Sequence, residues 1–116
     1  MKIYLDNCCI QRPLDDRTQL RIAVEGEIIL NILSLIEAGQ ISLLSSEISL
    51  YEAEKISNTF RREFTLKVLS ERSGLFTQLN DAIEERSRLF TDFGIKPIDA
   101  LHLAAAEMLK ADFFCT

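Results

Sequence analysis

Three acidic side chains are candidates for chemistry because of where they fall between the predicted elements. Asp6 ends the first apolar segment, Glu52 lies in the second turn of one predicted helix, and Asp99 lies in the first turn of another. Carboxylates that face one pocket repel one another unless a cation neutralises them, and oxygen ligands suit Mg²⁺ or Mn²⁺. Such an ion activates water and offsets the charge of a phosphodiester. The three acids therefore indicate metal-dependent phosphodiester hydrolysis if the fold brings them together.

Each acid also has a structural explanation. An acid at the position of Asp99 stabilises the dipole of its helix by about 0.3–1 kcal/mol without any catalytic role. Glu52 belongs to a glutamate-rich segment that could be a solvated helix face, and Glu47 competes with it for a place at the metal. Asp6 is the strongest candidate, because a carboxylate that ends an apolar strand is costly unless it is paired, hydrogen-bonded or metal-bound.

Asn7 and Arg12 follow Asp6 closely and are candidates for substrate binding. The amide of Asn7 could bind backbone or a metal-bound water beside Asp6, or it could serve only the turn. The guanidinium of Arg12 could contact phosphate, or it could pair with Asp15 or Asp16. Both interpretations stay open for each residue at this point.

His102 and the alanines at 104–106 lie on the same predicted helix as Asp99. A proton-transfer role for His102 is conceivable, but a lone histidine on an Ala- and Leu-rich helix is more often a packed residue with one hydrogen bond. The three alanines predict a close-packing face, either in the core or at the seam of a homodimer.

The elements that must position these residues alternate between strands and helices. A short apolar run at the amino terminus suits the centre of a parallel sheet covered by helices. Such alternation predicts an α/β domain with a mostly parallel sheet, whose strand carboxyl ends share one ligand-binding edge. The predicted strands are 2–6, 41–44, 112–115 and, as a strand or extended connector, 75–79. The predicted helices are 18–38, 46–56, 60–73, 82–92 and 97–110, with Gly39 and Gly94 ending the first and fourth.

Length and charge restrict the classes of protein that fit. The 116 residues make one domain, and a net charge of −5 excludes a uniformly basic surface for wrapping nucleic acid. Residues 1–58 carry a net charge of −4 and residues 59–116 a net charge of −1. The three cysteines include an adjacent pair and predict reduced thiols. With no signal peptide and no membrane-spanning segment in the sequence, we expect a soluble, cytoplasmic protein.

Four segments of the sequence resemble the PIN domain family. Residues 3–9 (IYLDNCC) with residues 12–16 (RPLDD) resemble the opening of a PIN domain. Residues 95–105 (IKPIDALHLAA) resemble the second hallmark of the family. Residues 44–52 resemble the segment that holds its conserved glutamate, and residues 111–116 resemble the last part of its core. The resemblance covers essentially the whole chain and implies a PIN-like three-layer α/β/α fold.

The resemblance also implies a function. PIN domains are compact nucleases that cut RNA with Mg²⁺ or Mn²⁺ held by three or four acids, and many bacterial and archaeal members are toxins of the VapC type. By position, Asp6, Glu52 and Asp99 are the implied metal-site and catalytic acids. The implied partners are RNA and an antitoxin protein.

The carboxyl terminus departs from the family pattern. A further acid normally follows the last strand in a Thr-x-Asp pattern, and the chain stops at Thr116, before that acid. Asp112 does not replace it, because it begins the strand rather than ending it. We therefore expect residues 1–116 to be a single PIN-like domain whose C-terminal end is missing. The alternative to a ribonuclease is a catalytically impaired PIN-like module that binds protein or RNA.

Overall fold

The sheet has four strands, all parallel, in the spatial order β3-β2-β1-β4. The computed structural model describes the backbone of residues 1–116 and the side chains of residues 1–71 and 74–116. The parallel α/β architecture confirms the prediction, and the extended connector at 75–79 is a strand that begins two residues earlier. The strands are β1 Lys2–Leu5, β2 Ser42–Ser46, β3 Ser73–Thr77 and β4 Phe113–Cys115.

The helices agree with the predicted segments to within a few residues, apart from one addition. The addition is α1, a single turn directly after β1, where no element was predicted from the sequence. Gly39 and Gly94 have φ angles of 79° and 92° just beyond the ends of two helices, as predicted for residues that end them. The helices are α1 Asn7–Ile10, α2 Leu20–Glu37, α3 Glu47–Glu54, α4 Thr59–Arg72, α5 Asp81–Asp92 and α6 Pro97–Met108, with a 3-10 turn at Arg12–Leu14.

Helices cover both faces of the sheet, which confirms the three-layer prediction. Alternate residues of β1 point to opposite faces. Ile3 and Leu5 pack in an apolar cluster with buried residues of α2 and α4, whereas Tyr4 packs in a second cluster with α5 and α6. The alanines at 104–106 are buried in this second cluster, so they form a close-packing face of the core.

The carboxyl ends of the strands lie along one edge of the sheet. β1 is central, and its Tyr4 pairs with Leu44 of β2 on one side and with Phe114 of β4 on the other. The chain adds β2 and β3 on one side of β1 and β4 on the other, so the direction of strand addition reverses between β1 and β4. Ligands of open parallel sheets bind at such a reversal, beyond the strand carboxyl ends. Asp6 lies at this position, and its backbone N–H donates to the carbonyl of Cys115 at 2.9 Å.

Candidate metal centre

Asp6, Glu52 and His102 meet at the carboxyl edge of the sheet. Each contributes one potential ligand atom, and these atoms all lie within 4.8 Å of one another. The two carboxylates are half-buried, whereas His102 is buried at 1% exposure. Asp6 arrives from the end of β1, Glu52 from α3 and His102 from α6, so three separate elements converge on one point. A group of two carboxylates and one imidazole has the donors that divalent metal ions accept.

The structure distinguishes Glu47 from Glu52, the two glutamates of α3 that compete for a place at the metal. Ser46 caps this helix by accepting a hydrogen bond from the backbone of Ser49 at 3.2 Å, and Glu52 follows one turn later. Glu52 thereby faces Asp6, whereas Glu47 is exposed and accepts a hydrogen bond from the backbone N–H of Leu79 at 2.8 Å. Glu52 is therefore the glutamate that the fold brings to the candidate site.

Asp99 lies in the first turn of α6, three residues before His102, and its side chain is exposed. Residues three apart share a helix face, so Asp99 lies on the same side of α6 as His102. Its carboxylate is not part of the close group formed by Asp6, Glu52 and His102. The fold thus brings together two of the three predicted acids and adds a histidine in place of the third.

His102 makes two hydrogen bonds rather than the single one expected of a packed histidine. Its Nε2 atom bonds to Oε1 of Glu52, and its Nδ1 atom lies 2.7 Å from the hydroxyl of Tyr4. The imidazole therefore connects the candidate metal centre to the interior of the protein.

Tyr4 supports the candidate site from within β1, a role that was not predicted from the sequence. Its hydroxyl lies 2.6 Å from the hydroxyl of Ser46 and 3.1 Å from that of Ser49, in addition to the contact with His102. Burial raises the pKa of Tyr4 above its usual value, so the phenol stays neutral. The sequence does contain a signal for this role, which is the tyrosine in the short apolar run of the first strand. A phenol hydroxyl that is buried with such a strand requires a polar partner. We call Tyr4, Ser46, Ser49 and His102 the buried polar network.

Asn7 stands next to Asp6 and is buried at 6% exposure. Its side-chain N–H donates to the carbonyl of Ser49 at 3.0 Å, which fixes the orientation of the amide. Among the described side chains, its Oδ1 is a buried polar atom with no hydrogen-bond partner. A buried acceptor without a donor is unfavourable, so this oxygen favours a ligand or water that can donate to it.

Solved structures resemble this chain over nearly its whole length. FitAcB from Neisseria gonorrhoeae is 18% identical, with a TM-score of 0.56 over 96% of this chain and 84% of that one. VapBC2 from Rickettsia felis, bound to a DNA fragment from its promoter, is 16% identical, with a TM-score of 0.60 over 97% of this chain and 85% of that one. The chain has a PIN-like fold. None of the known family models matches its sequence, and no curated protein does.

Within this PIN-like fold, Arg12 is paired with acids. Its guanidinium forms salt bridges of 3.0 Å to Asp15 and 3.2 Å to Glu25, while Arg61 contacts Asp15 at 2.8 Å. The pairing with Asp15 is the structural alternative that the sequence left open. Asp16 has a local role, in which it accepts a hydrogen bond from the backbone of Thr18 at 3.0 Å. Arg12 therefore holds the 3-10 turn against α2.

The residues of the site fit a divalent metal ion. Asp6 and Glu52 supply hard oxygen ligands, and the unpartnered Oδ1 of Asn7 can accept from a metal-bound water. Burial, followed by the negative charges of Asp6 and Glu52, raises the pKa of the nearby Cys8 thiol. The neighbourhood is therefore electronegative and favours a cation.

The described helices include none that is long and apolar enough to cross a membrane.

Proposed function

We propose that the chain is a metal-dependent ribonuclease of the PIN type, with Mg²⁺ or Mn²⁺ as its cofactor. The observation that supports this proposal best is the convergence of Asp6 and Glu52 at the carboxyl edge of a PIN-like sheet. Two carboxylates within 4.8 Å of each other need a compensating positive charge, and His102 is a neutral partner unless it is protonated. A bound divalent ion would provide that charge.

Each residue of the candidate site would have its own role in binding the ion. Asp6 and Glu52 would hold the ion directly, and Asp99, on the face of α6 that carries His102, would be the third acid of the site. The amide oxygen of Asn7 would accept a hydrogen bond from water at the ion. When bound, such an ion supplies a water of lowered pKa and offsets charge on the phosphodiester.

An acidic chain is compatible with RNA as the substrate. The acid excess lies in residues 1–58, which contain both Asp6 and Glu52, and a bound divalent cation would offset part of it. We therefore place the RNA at the carboxyl edge of the sheet. Arg12 is the proposed phosphate contact, and its role would require exchange of its contacts with Asp15 and Glu25.

We further propose that the chain is the toxin of a toxin–antitoxin pair, acting in the cytoplasm with an antitoxin protein as its partner and as a homodimer. The support is the likeness to VapBC2, since the PIN toxins that the sequence resembles are of the VapC type. Co-expression with the product of a neighbouring reading frame would test this part, because an antitoxin should form a stable complex and relieve growth arrest.

The nuclease proposal is tested by cleavage of a mixed RNA substrate with Mn²⁺ or Mg²⁺, and with EDTA. We expect Asp6→Asn and Glu52→Gln each to lower the cleavage rate at least about 100-fold, since each removes a ligand charge. Glu47→Gln is the matched control, because Glu47 lies on the same helix and away from the group. Equal activity of Asp6→Asn and the wild type would refute the assignment.

The second candidate is a catalytically impaired PIN-like module that binds protein or RNA. The observation in its favour is that, among the described side chains, the close group contains two acids rather than three or four. Titration with Mn²⁺ separates the candidates, because a metal site gives a saturable rise in melting temperature. A flat melting temperature up to millimolar Mn²⁺, together with no cleavage, would favour the binding module.

A further inference from the structure

We propose that His102 is a positioning residue that holds Glu52 in the conformation required for metal binding. This inference rests on the proposed metal centre and concerns how one of its ligands is oriented. Glu52 has a side-chain exposure of 37%, so packing restrains it only in part, whereas His102 has 1% and cannot move freely. The bond from Nε2 to Oε1 therefore fixes a half-buried carboxylate to a rigid interior group.

The hydrogen-bond partners of His102 determine which of its two ring nitrogens carries the proton. An ionised carboxylate only accepts, so Nε2 must be the donor to Glu52. In the neutral imidazole Nδ1 is then an acceptor, and the group within reach is the hydroxyl of Tyr4 at 2.7 Å. The oxygen of Tyr4 can in turn accept from Ser46 or Ser49. The donors of the buried polar network thus run in one direction, from the serines through Tyr4 and His102 to Glu52.

The direction of hydrogen-bond donation determines whether His102 can bind the ion. With Nε2 protonated, His102 has no lone pair to offer at the site, so its function is to orient Glu52 rather than to bind the ion. One oxygen of Glu52 is committed to His102, and the other is the one we assign to the metal. Removing a group that orients a metal ligand typically weakens metal affinity by about 10–100-fold.

The first test measures Mn²⁺ affinity by calorimetry for the wild type, His102→Leu and His102→Gln. The amide nitrogen of glutamine can reach the position of Nε2 and donate to Glu52, whereas leucine cannot. We expect His102→Leu to bind about 10–100-fold more weakly and His102→Gln to recover most of the loss. Circular dichroism and urea unfolding check that both variants fold. Rescue by glutamine separates an orienting role from a purely structural one.

The second test needs no metal. The chain has one histidine, so the imidazole nitrogen signals in a ¹⁵N spectrum belong to His102 alone. We expect the metal-free protein to carry the proton on Nε2. Protonation of Nδ1 only, or Mn²⁺ affinity of His102→Leu equal to that of the wild type, would overturn the positioning role. A wild type with the Nε2–H form that binds no Mn²⁺ would instead contradict the proposed function.

Discussion

The hydroxyl of Tyr4 lies 2.7 Å from Nδ1 of His102, although the two residues are 98 positions apart in the sequence. Their rings meet edge to face, with centroids 5.6 Å apart and planes at 70°. This contact joins the central strand to α6, and through Glu52 it extends to α3. The buried side chains that hold the candidate site in place are therefore also part of the core of the protein.

Tyr4→Phe should destabilise the protein while leaving the apolar packing of the ring intact. The variant removes the hydroxyl that bonds to Nδ1 of His102, whereas the hydroxyls of Ser46 and Ser49 retain their contact with each other. We expect the free energy of unfolding to fall by about 1–3 kcal/mol, as measured by urea denaturation. Tyr51→Phe is the matched control, because Tyr51 is 52% exposed and should change stability by no more than about 0.5 kcal/mol. Equal effects of the two variants would contradict the importance of the network.

Ala105→Leu should also destabilise the protein, because α6 packs closely against the sheet at this residue. Ala105 is fully buried in the cluster that contains Tyr4 and Leu44. Overpacking of a dense core typically costs about 1–3 kcal/mol, which thermal or urea unfolding will detect. Ala82→Leu, at an exposed position of α5, is the control and should be nearly neutral. A stable Ala105→Leu variant would show that the layer between α6 and the sheet has room to relax.

Hydrophobic patterning was sufficient to predict an α/β domain with a parallel sheet, whereas the three-layer PIN-like fold was implied by the family resemblance. The strands at β1, β2 and β4 are short apolar runs, and the helices between them have helical spacing and terminal glycines, so local signals agree with the global architecture. The single turn α1 was missed, because four residues are too few to establish a helical period. Asp112 lies at the amino end of the sheet, where its carboxylate accepts from the backbone of Lys2 at 2.7 Å, as its position in the strand predicted. An acid beyond Thr116 stays a prediction.

The candidate site was predictable only in part. Asp6 and Glu52 follow from strand and helix ends, whose positions the sequence reveals. The role of His102 depends on the height and rotation of α6 against β1, which are set by packing between residues far apart in the chain. The pairing of Arg12 with Glu25 likewise depends on how α2 returns over the 3-10 turn. Such long-range geometry has no local sequence signal.

Arg61→Ala should loosen the segment that follows α1. Its guanidinium contacts Asp15 at 2.8 Å and the carbonyl of Leu14 at 2.9 Å, which ties this segment to α4. We expect faster limited proteolysis by trypsin after Arg17 and a loss of about 1 kcal/mol in the free energy of unfolding. Arg21→Ala is the control, since its salt bridge to Glu25 is on an 85% exposed side chain. Unchanged proteolysis in Arg61→Ala would show that the segment is held by other contacts.

Stability should fall as the pH rises above 9 because of Cys9. Burial and the neighbouring Cys115 raise the pKa of Cys9 from 9.0 to about 12. Between these values the unfolded chain loses the thiol proton and the folded chain keeps it, so the unfolded state is progressively favoured. Urea unfolding at pH 8 and pH 10.5 should therefore show a larger loss for the wild type than for Cys9→Ala. Lysines and tyrosines titrate in both proteins, so their contribution cancels in this comparison. Equal losses of unfolding free energy in the wild type and in Cys9→Ala would contradict the prediction and place the Cys9 thiol in contact with water.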